Sequence, residues 1–199
     1  MLEVFFGTLE TMKRICIFLG AAAVTNEVYV QATREFARAL AARNLHLVYG
    51  GGRGLMGVLA DTMLEAGGTV TGVIPQALID KEMAHPNLTD LIVVDSMLER
   101  KRIMFEMSDA FVSLPGGFGT QDEMFEALTW SQLGVFSKPS AILNVNGFFD
   151  PLLEWTNMAV REGFVRQKAQ EFLIESDDAN TLLDSLMAWK SPGEVLLKK

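Results

Sequence analysis

A glycine-rich segment between an apolar run and an amphipathic run has the clearest potential for chemistry in this sequence. Residues 113–123 read Ser-Leu-Pro-Gly-Gly-Phe-Gly-Thr-Gln-Asp-Glu. Glycines let the backbone approach an anion closely, and the free N–H groups and dipole at a helix start attract that anion. The segment therefore predicts a phosphate site, and the alternative is an ordinary turn with a capped helix.

Two carboxylates, Asp122 and Glu123, follow these glycines within the first turn of the predicted helix. They complement the positive end of the helix dipole, so a purely structural role is open. A carboxylate about one turn from a bound phosphate is also well placed to act on the sugar that carries that phosphate.

A second glycine-rich turn, residues 49–57, contains a formal G-x-G-x-x-G from Gly52 to Gly57. The pattern suggests a dinucleotide, but it follows the second predicted strand, and the next strand ends at residue 75 without an acidic residue for a ribose hydroxyl. NAD is therefore disfavoured. Two roles stay open for this turn: close packing of strand and helix, or one wall of a nucleotide cleft.

A basic cluster, Arg100-Lys101-Arg102, lies at the predicted start of another helix. Cations are unfavourable there because they face the positive end of the helix dipole. We expect an anionic ligand or a nearby carboxylate to offset this cost, and a solvated basic face is the alternative.

These residues are positioned by a regular alternation of strands and helices. The predicted strands cover residues 14–19, 45–49, 69–74, 91–94, 110–114, 141–145 and 172–175. The main predicted helices cover residues 26–43, 55–66, 97–108, 120–133, 150–162 and 178–190, with Ser96 and Glu99 as a capping box and Asp150 as an N-cap. Strands this apolar indicate a parallel sheet covered on both faces. The predicted fold is α/β, doubly wound and Rossmann-like, with its ligand crevice at the carboxyl ends of the strands.

Composition narrows the class of protein. The 199 residues are 49% apolar, so we expect one domain over residues 13–199, with residues 1–12 as an N-terminal extension outside the fold. The net charge of -8 argues against nucleic acid as a partner. The longest apolar stretch, residues 15–24, is too short to span a membrane and lacks the layout of a signal peptide, so we expect a cytoplasmic protein.

The cysteine and histidine content predicts neither a disulfide nor a metal site. Cys16 is the single cysteine and lies in a predicted strand, which favours a core position over a nucleophilic one. His46 and His85 lack the spacing of metal ligands.

Taken together, the motifs resemble the LONELY GUY (LOG) family, cytokinin riboside 5'-monophosphate phosphoribohydrolases once labelled lysine decarboxylases. The likeness rests on Arg100-Lys101 followed by residues 115–123, and it extends over most of residues 13–164. It implies hydrolysis of the N-glycosidic bond of an adenosine-type 5'-monophosphate, with or without an N6 substituent, to free base and ribose 5-phosphate. It also implies a homodimer, and the reaction needs no cofactor.

The resemblance also implies roles for individual residues. Glu123 would stabilise the oxocarbenium-like sugar and activate water, and Arg100 would hold the substrate or Glu123 in position. The residues predicted to bind substrate are Gly51, Gly52, Glu82, Lys101, Gly116, Gly117, Phe118, Gly119, Thr120, Asp122 and Thr129.

Two departures from the family pattern keep another function open. Gly20-Ala21-Ala22 replaces Gly-Ser-Ser, which removes hydroxyl donors, and Gln121-Asp122 replaces Leu-Glu. The alternative is a non-catalytic protein that binds a nucleotide or pterin cofactor on the same fold. A decarboxylase would need pyridoxal phosphate on a lysine, and neither histidine is followed by lysine.

Overall fold

The computed structural model describes residues 12–23, 26–81 and 84–193 of the chain. Met12, the last residue of the predicted N-terminal extension, packs partly buried against the core. The rest of that extension and Glu82 lie outside the described residues.

Seven strands of the described residues form one fully parallel sheet. They are β1 (Arg14–Phe18), β2 (His46–Tyr49), β3 (Val70–Pro75), β4 (Asp90–Val94), β5 (Ala110–Ser113), β6 (Ser140–Leu143) and β7 (Leu173–Ser176). Their order across the sheet is β4-β3-β2-β1-β5-β6-β7. The predicted doubly wound α/β fold is confirmed.

Helices connect the strands, as the alternating pattern predicted. They are α1 (Glu27–Ala42), α2 (Leu55–Glu65), α3 (Gln76–Ile79), α4 (Met97–Met107), α5 (Phe118–Gln132), α6 (Asp150–Arg161), α7 (Gln167–Gln170) and α8 (Ala179–Ala188), with a short 3₁₀ turn at Val145–Gly147. Among the described residues, no helix combines the length and the apolar character needed to cross a bilayer.

Local capping explains where two of the helices begin. The Ser96 hydroxyl accepts a hydrogen bond from the Glu99 N–H at 3.1 Å, which confirms the predicted start of α4. The prediction of Asp150 as an N-cap was wrong. Helix α6 begins at Asp150 itself, whose Oδ1 accepts a hydrogen bond from Asn144 Nδ2 at 2.7 Å instead of capping the helix.

Both faces of the sheet are covered by apolar side chains. Along β1, Ile15 and Ile17 point into one core, whereas Cys16 and Phe18 point into a second core on the opposite face. Cys16 is fully buried, so its predicted core position is confirmed. A central strand that is apolar on both faces is typical of a parallel sheet between two helical layers.

The direction of winding changes between β1 and β5. Strands β2, β3 and β4 lie on one side of β1, and α4 then returns the chain to β5 on the other side. The loops after β1 and β5 run side by side, and the Gly20 N–H donates to the Pro115 carbonyl at 3.2 Å. In a sheet of this type, the crevice at the reversal point is the expected ligand site.

Candidate active site

A cavity of about 340 Å³ lies at this reversal point. It is bounded by the loop after β1, by the first turns of α2 and α4, and by the first two turns of α5. The lining residues are Leu19, Gly20, Ala21, Ala22, Met56, Met97, Arg100, Lys101, Gly117, Gly119, Thr120, Asp122 and Glu123.

The start of α5 forms one wall of the cavity. The helix begins at Phe118, two residues before the predicted start, and Gly117 precedes it without a side-chain cap. The N–H groups of the first turn therefore have no partner within the helix, and this positive end borders the cavity. Asp122 and Glu123 lie in the second turn, so the expectation that they complement the helix dipole from the first turn was wrong.

The glycines of this turn are required for different reasons. A Cβ added at Gly117 or Gly119 would meet no atom of the described residues within 4 Å, so these residues keep space open for a ligand. A Cβ at Gly116 would lie 2.1 Å from Thr120 Oγ1 and 2.8 Å from the Gly20 N. Gly116 is therefore required by the packing of the two loops, and it does not line the cavity.

Glu123 is a carboxyl group in a largely dry position, with only 6% of the residue exposed. Burial, the main influence, raises its pKa from the ordinary 4.5 to about 7, and Arg100 is the strongest opposing influence. At neutral pH this side chain therefore exchanges readily between its acid and its base form.

Arg100 is buried beside Glu123 and is held by the backbone. Its Nη2 lies 3.9 Å from Glu123 Oε1. Its Nε donates to the Val73 carbonyl at 3.1 Å, and its Nη2 donates to the Gly50 carbonyl at 3.2 Å. These two hydrogen bonds fix the guanidinium at the carboxyl ends of β2 and β3.

Lys101 forms ion pairs with two carboxylates. A nearby carboxylate was one of the partners expected to offset the basic cluster at the start of α4. Its Nζ lies 3.0 Å from Asp122 Oδ2 and 2.5 Å from Glu126 Oε2. Arg102 faces away and pairs with Glu106 on the exposed side of α4. The cost of cations in this part of α4 is therefore offset by α5.

Comparison with known proteins identifies the family. The family model described as possible lysine decarboxylase matches residues 56–186. Cytokinin riboside 5'-monophosphate phosphoribohydrolase LOG5 of Arabidopsis thaliana is 39% identical over 188 residues, which cover 94% of this chain and 82% of that protein. Cytokinin riboside 5'-monophosphate phosphoribohydrolase LOG of Oryza sativa is 40% identical, with coverage of 92% and 76%. The chain belongs to the LOG family.

A protein that is not named as a LOG enzyme has the same fold as this chain in its solved structure. The molybdenum cofactor carrier protein of Chlamydomonas reinhardtii superposes with a TM-score of 0.66 over 89% of this chain and 98% of that one, at 22% identity. At this identity the likeness concerns the fold alone.

The cavity of this LOG family member brings together one group of the predicted site residues. This group is Arg100, Lys101, Gly117, Gly119, Thr120, Asp122 and Glu123. Besides Gly116, the described residues that were predicted to bind substrate but do not line the cavity are Gly51, Gly52, Phe118 and Thr129. Gly51 has a positive φ and packs against β3, where an added Cβ would lie 3.2 Å from Ile74 Cβ. Met56 of the same turn lines the cavity, so both roles left open for residues 49–57, close packing and one wall of the cleft, are present.

The other residues outside the cavity lie on the surface or in neighbouring loops. Gly52 forms an isolated bridge with Ala84, Phe118 is 97% exposed, and Thr129 is exposed on α5 beyond the cavity. Their contacts with substrate stay predictions.

Six lining residues had not been proposed as contacts: Leu19, Gly20, Ala21, Ala22, Met56 and Met97. The sequence did indicate the first four, because they follow β1. Residues at the carboxyl end of a strand line the crevice where the winding reverses. Met56 belongs to the turn of residues 49–57, for which one wall of a cleft was one of the two predicted roles. No such signal exists for Met97, whose position depends on how α4 packs.

Within the described residues, no group of three or more histidine, cysteine or acidic side chains is arranged to hold a metal ion. The histidines have other partners. His46 lies between the hydroxyls of Thr69 and Thr71, and His85 Nε2 lies 3.0 Å from Asp61 Oδ1.

Proposed function

We propose that this protein hydrolyses the N-glycosidic bond of an adenosine 5'-monophosphate, with or without an N6 substituent. The C1'–N9 bond breaks, water supplies the new oxygen on C1', and the base leaves with a proton, giving free base and ribose 5-phosphate. The observation that carries the proposal is the buried pair of Glu123 and Arg100 beside the uncapped start of α5 in one cavity. Family members about 40% identical to this chain are named for this activity.

In this proposal the start of α5 binds the 5'-phosphate. The amides of Gly117, Gly119 and Thr120, with the Thr120 hydroxyl, are the proposed donors, and Gly116 serves the packing of the loop. Free helix-terminal N–H groups and the helix dipole favour an anion at this position. Arg100 and Lys101 add local positive charge in a chain whose net charge is -8.

Glu123 is the proposed acid and base. As the bond to the base breaks, positive charge grows on the sugar ring, and a nearby carboxylate stabilises it. The same group accepts a proton from the attacking water, and a pKa near the working pH is what this exchange requires. Arg100 fixes the position of Glu123 or of the substrate, since its own position is set by two backbone carbonyls.

The family description as possible lysine decarboxylase fits the cavity poorly. A Schiff base with pyridoxal phosphate needs a lysine that gives up its proton. Burial alone would favour that loss at Lys101, but Glu126 and Asp122 outweigh burial and raise the pKa of Lys101. The lysine that lines the described cavity is therefore held as an ammonium ion.

We also propose that the protein is a cytoplasmic homodimer whose second copy covers the apolar face of α5 and α6. Phe125 and Trp155 form an edge-to-face pair at 5.6 Å on this face, and Trp155 is 48% exposed. Together with Leu152 they line an apolar depression of about 220 Å³. Exposed apolar patches of this kind are typical of protein contacts.

The test is product formation from defined nucleotides. Purified protein would be incubated with AMP, isopentenyl-AMP and, as a control without phosphate, adenosine, and base and ribose 5-phosphate would be measured by chromatography. We expect base from at least one nucleotide, far less from adenosine, and none from Glu123→Gln.

A non-catalytic nucleotide or pterin carrier is the second candidate, because Ala21 and Ala22 line the cavity without hydroxyl groups. Tight binding of AMP in calorimetry without release of base would favour this candidate over the hydrolase.

A further inference from the structure

Lys101 forms ion pairs with two of the acidic residues of α5. Its Nζ contacts Asp122 and Glu126, and among the described residues it forms no ion pair with Glu123. Asp122 and Glu126 are one turn apart on the same face of the helix. Glu126 lies between Asp122 and Glu123 around the helix, about 40° from the first and about 60° from the second, because each residue turns by about 100°.

Glu126 is the stronger of the two restraints on Lys101. Its carboxylate lies 2.5 Å from Nζ and its side chain is 21% exposed, whereas Asp122 lies at 3.0 Å and is 62% exposed. Solvent and salt screen an exposed pair more than a sheltered one. Without Glu126, the flexible side chain of Lys101 would keep only its exposed partner.

Neither cation near Glu123 donates a hydrogen bond to it among the described residues, although Arg100 Nη2 lies 3.9 Å from Glu123 Oε1. Arg100 donates to the carbonyls of Val73 and Gly50. Lys101 donates to Asp122 and forms an ion pair with Glu126. A buried carboxyl group without a bonded cation favours its neutral form, and a cation that comes close reverses this preference.

We propose that Glu126 is a positioning residue, which engages the Lys101 ammonium in an ion pair and so keeps it from pairing with the neighbouring Glu123 carboxyl group. The importance of this for turnover rests on the proposed hydrolysis. The positioning itself is a property of the free protein and can be tested without substrate.

Several charged or titratable groups surround Glu123 and enter the expected effect. They are Arg100 and Lys101 on α4, Asp122 and Glu126 on α5, and the thiol of Cys16 on β1. Cys16 stays neutral because burial raises its pKa. Removal of the Glu126 charge lowers the pKa of Glu123 directly, and release of Lys101 lowers it further, so a test has to separate the two contributions.

The test is a double-mutant cycle with a direct titration of Glu123. The protein would carry ¹³C-labelled glutamate carboxyl groups, and loss of one resonance in Glu123→Gln would assign Glu123. Titrations would compare the unmodified protein, Glu126→Gln, Glu126→Asp, Lys101→Met and the combinations with Lys101→Met. Glu126→Asp keeps the negative charge but shortens the side chain, so it weakens the contact with Lys101 while leaving the direct effect of the charge nearly intact.

We expect the pKa of Glu123 to fall by about one unit or more in Glu126→Gln, which is the effect of a cation that approaches within about 4–6 Å. The pKa of Glu123 should also fall in Glu126→Asp. In the Lys101→Met background, Glu126→Asp should leave the pKa of Glu123 unchanged, and Glu126→Gln should lower it less. The surface variant Glu106→Gln, which removes the partner of Arg102, serves as the control without effect.

Equal shifts with and without Lys101, or no shift at all, would overturn the proposal. The pH dependence of kcat is the second readout, and its Glu123-dependent limb should move in the same direction as the titration. A protein that shows the coupled titration but releases no base would refute the proposed hydrolysis and leave the positioning role intact.

Discussion

The guanidinium of Arg100 occupies the space that a side chain at residue 50 would need. A Cβ built on Gly50 would lie 1.7 Å from Arg100 Nη2, and the Gly50 carbonyl accepts a hydrogen bond from the same atom at 3.2 Å. The glycine thus both admits and binds the arginine that stands beside Glu123. The turn after β2 therefore serves the site through Arg100.

Gly50→Ala should displace Arg100 and impair the proposed hydrolysis. A shift of about 1 Å in a positioning group can cost roughly 100-fold in rate, so we expect a loss of that order in kcat/KM. Gly57→Ala is the matched control. It lies in α2, where an added Cβ meets only His85 Cδ2 at 3.9 Å, and alanine favours a helix. Full activity of Gly50→Ala would show that the position of Arg100 does not matter.

Arg100→Ala should damage turnover much more than Arg102→Ala. Arg100 is buried next to Glu123, whereas Arg102 forms an exposed pair with Glu106. Exposed ion pairs contribute at most about 1 kcal/mol, so Arg102→Ala should stay close to the unmodified protein in both stability and kcat/KM. Steady-state kinetics with AMP checks this order, and the reverse order would mean that the wrong cation has been assigned.

Glu123→Gln should change the pH dependence of stability as well as activity. The folded protein raises the pKa of Glu123 from 4.5 to about 7, so it holds a proton that the unfolded chain has released. The contribution of this group to the free energy of unfolding is fully present below 4.5, falls as pH rises towards about 7, and is flat above. Glutamine carries no ionisable proton. The free energy of unfolding of Glu123→Gln, minus that of the unmodified protein, should therefore rise from pH 5 to pH 7 and stay at the higher value at pH 8. Urea unfolding at each pH measures this difference.

A difference in stability between Glu123→Gln and the unmodified protein that does not change with pH would contradict the raised pKa. Glu106→Gln provides the control, since the side chain of Glu106 is 60% exposed and forms its ion pair with Arg102 on the far side of α4.

Gly116→Ala should reduce stability, whereas Gly117→Ala should reduce substrate binding. Alanine at Gly116 collides with Thr120, so thermal stability should fall. Alanine at Gly117 meets nothing within 4 Å in the free protein, and the extended backbone of Gly117 accepts a side chain. Stability should stay unchanged, while the methyl group obstructs a phosphate at the start of α5. A loss of about 1.4 kcal/mol in binding would raise KM tenfold, and an unchanged KM would argue against phosphate at this position.

Trp155→Glu should prevent the proposed dimer from forming, because a carboxylate would replace the exposed indole on the apolar face of α6. Sedimentation velocity would then detect a monomer. Met187→Glu, which charges a similarly exposed residue on α8, should leave the dimer intact. Identical oligomeric states in both variants would place the contact elsewhere.

The sequence predicted the sheet well because each buried strand is a short apolar run bounded by turn residues. The bounds of β1, β2 and β5 match the predicted ones within one residue. The larger differences are at the end of β6, which stops at Leu143, at the end of α8, which stops at Ala188, and at the start of α5. Phe118 was expected in the turn because glycines on either side of it interrupt the helical pattern, whereas the helix in fact begins there.

Only the part of the site that is formed by residues close together in the sequence could be predicted. The glycines, Thr120 and Glu123 form one continuous motif, so their proximity follows from a strand, a turn and a helix. The link from Arg100 to the Val73 and Gly50 carbonyls joins residues 27 and 50 positions apart. Such contacts depend on the tilt of α4 over the sheet, which no local pattern encodes.

The burial of Cys16 has a practical consequence for studying the assembly. A thiol reacts as its thiolate, and here burial both shields the sulfur and raises its pKa. Because the chain contains no other cysteine, a thiol introduced on an exposed part of α6, as in Glu154→Cys, would be the one group accessible to a spin label. Electron paramagnetic resonance between two such labels would then report the separation of the copies without any change to the native cysteine.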